Sequence, residues 1–228
     1  MRAADRLVGA LRRRLREPET RADLDRFEEH YGRFMTPAEV RAAPITGLAK
    51  ESGWIHRFMV EFVDRLRGHA PVAPLLLAGE YRAVVGAYVE WLGLDPSQIV
   101  TTGLGDVDVV WDYERPPPEG LGTFSLILSQ AMLEHLLDPF GHLRDLCSLL
   151  VEGGSVIVMT HTPGFPYHRY PVDCFRFYPD FFEVAADRLG MDVTGRLVGD
   201  DRIVYQLTRP ALAEGAGPTS PRRDRTAG

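Results

Sequence analysis

At 228 residues, 45% apolar and 25% charged, the chain fits one globular domain or a domain with an appendage. Its net charge of −6 argues against general nucleic-acid binding, which needs a basic face. No apolar run approaches membrane-spanning length, the basic start lacks a secretory apolar core, and Cys147 and Cys174 make no disulfide framework, so a cytoplasmic protein without membrane contact is expected.

In chain order, the first third reads as helical. Leu24, Phe27, Tyr31 and Phe34 fall on one stripe. Ile55, Phe58, Met59, Phe62, Val63 and Leu66 repeat the 3.6-residue period and stop at Gly68. Thr36-Pro37 pairs an N-cap with a proline suited to the first turn. Residues 1–70 are therefore expected to form a helical cap or lid, or else a buttress or dimer surface. Lys50 is the only lysine among many arginines, which fits a high-GC bacterial coding bias.

From residue 72 strands and helices alternate. Strands are predicted at Leu75–Ala78, Ile99–Thr102, Val107–Trp111, Phe124–Leu128 and Ser155–Thr160. Val84, Val85, Tyr88, Val89 and Leu92 have helical spacing, and the run from Arg115 to Gly120 is a loop. A helix is predicted around Glu134-His135, and a second one ending at Gly153-Gly154. Phe181 to Leu189 is a helix closed by Gly190. Met191–Leu197 and Ile203–Thr208 flank Gly199-Asp200-Asp201, a hairpin signal. This alternation predicts an α/β domain over 71–210, with a parallel sheet covered on both faces and an antiparallel closing hairpin. The tail, 211–228, has the composition of a disordered segment.

Two stretches resemble a known family. Glu134-His135-Leu-Leu-Asp138-Pro139, then Leu-Leu-Val-Glu-Gly153-Gly154 and an apolar strand, resemble the second half of class I S-adenosylmethionine-dependent methyltransferases. Tyr170-Pro171-Val-Asp173-Cys-Phe175-Arg176-Phe177-Tyr-Pro179 resembles a loop of a subgroup that includes glycan- and antibiotic-pathway methyltransferases. The resemblance covers roughly 72–209. It implies a Rossmann-like methyltransferase fold with a mostly parallel seven-stranded sheet, S-adenosylmethionine as cofactor and a small-molecule substrate. In the cofactor half the chain departs from the family. Gly79-Glu80-Tyr81 replaces the glycine-rich turn, Thr102 stands near the end of strand two where an acid is usual, and Ser125 replaces an aspartate of strand four.

By that resemblance the cofactor contacts are Gly79, Glu80, Tyr81, Thr102, Asp112, Ser129, Gln130 and His135. His161 directly follows strand five and is expected to face the crevice, with His168 in the loop beyond it; both are candidate bases. Asp173 and Arg176, three apart, are candidate catalytic residues; the reading preferred over substrate binding is that they pair with each other and fix the loop. Glu134 is expected to stand behind the site and orient backbone. His135, His161, His168 and Asp173 can formally supply two histidines and a carboxylate to a metal, but no tight ligand spacing supports this and no metal is expected.

The expected function is methyl transfer to oxygen or nitrogen of a small metabolite or sugar in bacterial secondary metabolism. The departures leave two alternatives open. One is a repurposed fold doing elimination or cyclisation without the cofactor. The other is a subunit of a hetero-complex, or a homodimer, assembled through the N-terminal helices.

Overall fold

The structure, a computed structural model, describes residues 22, 25–34, 71–169, 172–199 and 202–211. The predicted helices around Thr36 and over 55–66, the hairpin tip at Asp200-Asp201 and the tail beyond 211 lie outside the described residues. One helical segment of the first third is described, α1 (25–31).

The strands are β1 (Leu75–Ala78), β2 (Ile99–Gly103), β3 (Val109–Val110), β4 (Phe124–Gln130), β5 (Leu150–His161), β6 (Asp192–Val198) and β7 (Arg202–Thr208). They form one sheet in the order β3-β2-β1-β4-β5-β7-β6. The first five run parallel, and β7 lies antiparallel between β5 and β6. Helices α2 (Val85–Leu92), α3 (Pro139–Ser148) and α4 (Pro179–Leu189) complete the domain. The α/β architecture expected from the sequence is thus observed.

Strand alternation divides the core. Leu75, Leu77, Leu126, Leu128, Ile157 and Met159 pack with Tyr88, Trp91 and Leu92 of α2 on one face. Leu76, Ala78, Ile127, Val156 and Val158 pack with residues of α3 and α4 on the other. Phe34, just after α1, is buried in this second cluster. Tyr31 Oη donates to Asp180, and the Arg196 guanidinium reaches the Tyr31 carbonyl at 3.2 Å, so α1 docks beside α4 and β6.

Three boundaries differ from the sequence reading. Glu134-His135 sits in a single 3-10 turn, Leu133–His135, and not in a longer helix. Helix α3 ends at Ser148, and Gly153-Gly154 lies inside β5. A Cβ on Gly154 would stand 2.9 Å from the Val151 carbonyl and 3.0 Å from that of Phe124, so glycine here permits a close backbone approach rather than a helix stop. Strand β3 shrinks to two residues, because Asp108 leaves the strand path to bond the Thr101 amide and hydroxyl, each at 2.9 Å.

His142 of α3 is a buried imidazole whose ring nitrogens have no hydrogen-bond partner. It packs on Tyr113 and Trp111, with ring centroids 4.6 and 5.8 Å away. Burial pushes its pKa down to about 3. A depressed histidine leaves the folded state unable to take up the proton that the unfolded chain binds below about pH 6.5. Stability is therefore lost as pH falls from there toward 3. A His142→Leu variant is expected to be more stable at about pH 4 by roughly 2–3 kcal/mol in urea titrations, with the difference narrowing toward neutrality.

Candidate functional site

The carboxyl ends of the parallel strands all open on one edge of the sheet, where such folds bind ligands. Chain bends set what that edge presents. Gly79 (φ 89) turns the chain after β1. Ala131 (φ 48), a left-handed conformation uncommon outside glycine, turns it after β4. That second bend separates Gln130, which faces the β1 tip, from Glu134, which faces the β5 tip. The edge thereby has two halves.

The β1 side gathers Glu80, Tyr88, Ser129 and Gln130. Gln130 Nε2 donates to Glu80 Oε1 at 3.0 Å and to the Tyr88 hydroxyl at 2.8 Å. Gln130 Oε1 and Ser129 Oγ are buried and have no hydrogen-bond partner. Burial pushes the Glu80 carboxyl up to about 7. Met132 lies against Gly79, so closely that a Cβ there would meet its sulfur at 2.6 Å. Tyr81 is exposed and lies over Gly105. Asp112 is half-buried and pairs with Arg115 at 3.4 Å.

Thr102 does not reach the crevice. It is fully buried, its carbonyl accepts from the Tyr113 hydroxyl at 2.7 Å, and its own hydroxyl bonds the same oxygen at 2.9 Å. The expectation that Thr102 contacts a cofactor is corrected: Tyr113 covers that strand tip. No sequence signal marks Tyr113, since its position depends on the turn after β3.

The β5 side gathers Glu134 and three histidines. Thr160 donates its hydroxyl to Glu134 Oε2 at 2.7 Å. Glu134 Oε1 stands 3.1 Å from His161 Nε2 and 3.9 Å from the Nε2 atoms of both His135 and His168. Burial pushes the Glu134 carboxyl up, but the hydrogen bond and charge of His161 and the Thr160 hydroxyl outweigh it and hold the pKa below its ordinary value. Burial and the neighbouring His161 lower His168, against the pull of Asp173 and Glu134. His161 does not face an open crevice as expected. It is 1% exposed and stacks on Phe165, with ring centroids 3.6 Å apart. His168, 36% exposed, is the most exposed member of this cluster. Glu134 does anchor backbone, accepting from the Cys174 amide at 2.7 Å, but its side chain is also the centre of the cluster.

Asp173 and Arg176 are each other's partners. Arg176 Nη2 donates to Asp173 Oδ2 at 2.6 Å, and Nη1 donates to Oδ1. The same guanidinium reaches the carbonyls of Phe165, Pro166 and Phe175. Asp173 Oδ2 in turn accepts from the His168 amide at 2.8 Å. Arg176 first, and the His168 amide after it, hold the Asp173 carboxyl well below the usual carboxylate range. Of the two readings of these residues, the structure shows the pairing: their polar atoms close the loop that carries His168.

No protein-family model matches the chain, and no curated protein sequence matches it. Solved structures do. The CcbJ methyltransferase from Streptomyces caelestis aligns over 75% of this chain and 98% of its own, at 14% identity and a TM-score of 0.51. The [4+2]-cyclase SpnF aligns over 71% and 84%, at 10% identity and the same TM-score. The N-terminal domain of EvdMO1, solved in the presence of SAH and D-fucose, aligns over 74% and 84%, at 16% identity and a TM-score of 0.47. The strand order, the reversed β7 and the likeness to CcbJ together show that this chain has the fold of the class I S-adenosylmethionine-dependent methyltransferases.

Proposed function

We propose that the chain binds S-adenosylmethionine at the tips of β1 and β4 and methylates oxygen or nitrogen of a small molecule held toward the β5 tip. The observation that supports this reading most is the polar cradle at β1. Ser129 Oγ and Gln130 Oε1 are buried without partners, and a carboxyl with a raised pKa stands beside them. Native proteins rarely bury such atoms unless a ligand or water completes them. The residues present therefore fit the cofactor in polarity and charge: Glu80 would hold a cationic group, and Ser129 and Gln130 would bond polar ones. Bound there, the cofactor supplies an electrophilic methyl group. The chain's own part is to align the acceptor and receive its proton, and the cluster around Glu134 supplies the basic nitrogens for that.

A second reading rests on Thr102. With its hydroxyl and carbonyl both taken by Tyr113, the strand-two tip offers no acceptor for ribose hydroxyls. This favours chemistry without the cofactor, elimination or cyclisation driven by the histidine cluster, or a role as a subunit of a larger complex. Calorimetry separates the readings. The first expects S-adenosylmethionine to bind at micromolar strength and to raise the melting temperature. No heat and no thermal shift would overturn it, and turnover of a substrate without cofactor would establish the second. Residues 1–70 are the surface proposed for pairing with a second copy or a partner, which light scattering on the purified chain would reveal.

A further inference from the structure

We infer that Glu134, His135 and His168 form a binding site for a divalent transition-metal ion at the β5 end of the edge. One ligand atom from each of Glu134, His135 and His168 lies within 4.8 Å of the other two. Both imidazole nitrogens stand 3.9 Å from Glu134 Oε1. That is too far for a hydrogen bond, so the convergence of two rings on one carboxylate oxygen is not explained by bonding among the three. It is close to the spacing of ligands around a shared ion. Bonds of about 2.1 Å in tetrahedral array place donor atoms about 3.4 Å apart.

Hydrogen bonds orient two of the three donors, Glu134 and His135. Thr160 takes Glu134 Oε2, which leaves Oε1 facing the histidines. His135 Nδ1 lies against the Val172 carbonyl. A carbonyl accepts only from N–H, so Nδ1 is the donor there and Nε2 is the ring nitrogen left to face an ion. His168 Nδ1 lies 3.6 Å from Asp173 Oδ2, the carboxylate that Arg176 locks in place. A carbonyl partner on the outer nitrogen, as at His135, is a usual support of a metal-binding imidazole; the His168 ring lacks a hydrogen bond at Nδ1 and is placed through its backbone amide, which donates to Asp173 Oδ2 at 2.8 Å. The Asp173–Arg176 clasp thus acquires a purpose: it positions His168.

Two nitrogens and one carboxylate suit zinc, and equally iron, cobalt or manganese in the divalent state. His161 Nε2 stands 3.1 Å from the same Glu134 oxygen and flanks the site from the β5 side. The partial exposure of His168 gives an ion and its remaining ligands a route in. Sequence reading names both histidines as formal ligands but pairs them with Asp173; only the fold shows Glu134 as the carboxylate that both face. The inference does not depend on cofactor binding at the β1 side; with an ion bound, His135 and His168 act as ligands and not as proton acceptors.

The test uses the full chain, stripped with a chelator and titrated with Zn²⁺, Co²⁺ and Mn²⁺. One ion per chain is expected, with a visible Co²⁺ spectrum of low coordination number. At a hundredfold excess over Kd the melting temperature should rise by about 5–10 °C. His168→Gln and His135→Gln are each expected to weaken binding by about a hundredfold or more. Since Cys174 is exposed nearby, Cys174→Ser must leave binding intact. Substoichiometric binding overturns the inference, as does binding that survives both histidine variants or disappears with Cys174→Ser.

Discussion

Replacing Glu80 with glutamine is expected to weaken S-adenosylmethionine binding by about ten- to a hundredfold at pH 8, a loss of roughly 1.4–2.8 kcal/mol. The carboxyl titrates near 7 because burial opposes its charge. Below that pH it is neutral and offers a cation little; above it the charge is present in a site of low polarity. Affinity for the sulfonium cofactor should therefore rise as pH increases from about 6 to 8, and the variant should lose that dependence. S-adenosylhomocysteine, which lacks the sulfonium charge, should show a shallower rise. The stability sign is opposite. A carboxyl whose pKa is raised on folding holds its proton more tightly in the folded state, so ionisation destabilises the fold as pH rises from about 4.5 to 7. At pH 8 the glutamine variant should be more stable by up to about 3 kcal/mol. Calorimetry and denaturation on the same two proteins read both effects. A variant that binds the cofactor as well as the parent would remove Glu80 from the site.

Replacing Arg176 with alanine is expected to cost about 3 kcal/mol of stability and to open the loop over 162–178 to proteases. Asp173 is 1% exposed and would be left as a buried charge without its cation, the costliest way to break such a pair. Three backbone carbonyls lose a donor at the same time. Lysine at this position keeps the charge but not the planar fork, so Arg176→Lys should recover only part of the loss. Melting temperature and the rate of tryptic cleavage at Arg169 measure the two effects. If the alanine variant melts like the parent, the clasp does not hold the loop.

Much of the fold was legible because it follows from local rules. The apolar run Leu75–Ala78 forms the strand it predicts, and Leu189-Gly190 ends α4 with glycine at φ 66. The antiparallel β6–β7 pair agrees with the apolar runs on either side of Gly199. What failed were features set by distant partners. Gly153-Gly154 reads as a helix stop, but close backbone approach within the sheet demands the second glycine. Thr102 reads as a polar strand tip, but Tyr113, eleven residues on, covers it.

The sequence by itself determined the alternating α/β order and the strands that form the core. It also pointed to the stretch from Glu134 to Arg176 as the chemically richest part of the chain. Those follow from periodicity and turn chemistry, which act over a few residues. Only the tertiary structure decided which polar groups meet. Ala131 bends the chain so that Gln130 and Glu134 serve opposite halves of the edge, and the loop after β5 returns to set His168 beside Glu134. Such contacts depend on where separate strands end and loops fold back, and spacing along a chain carries no record of that.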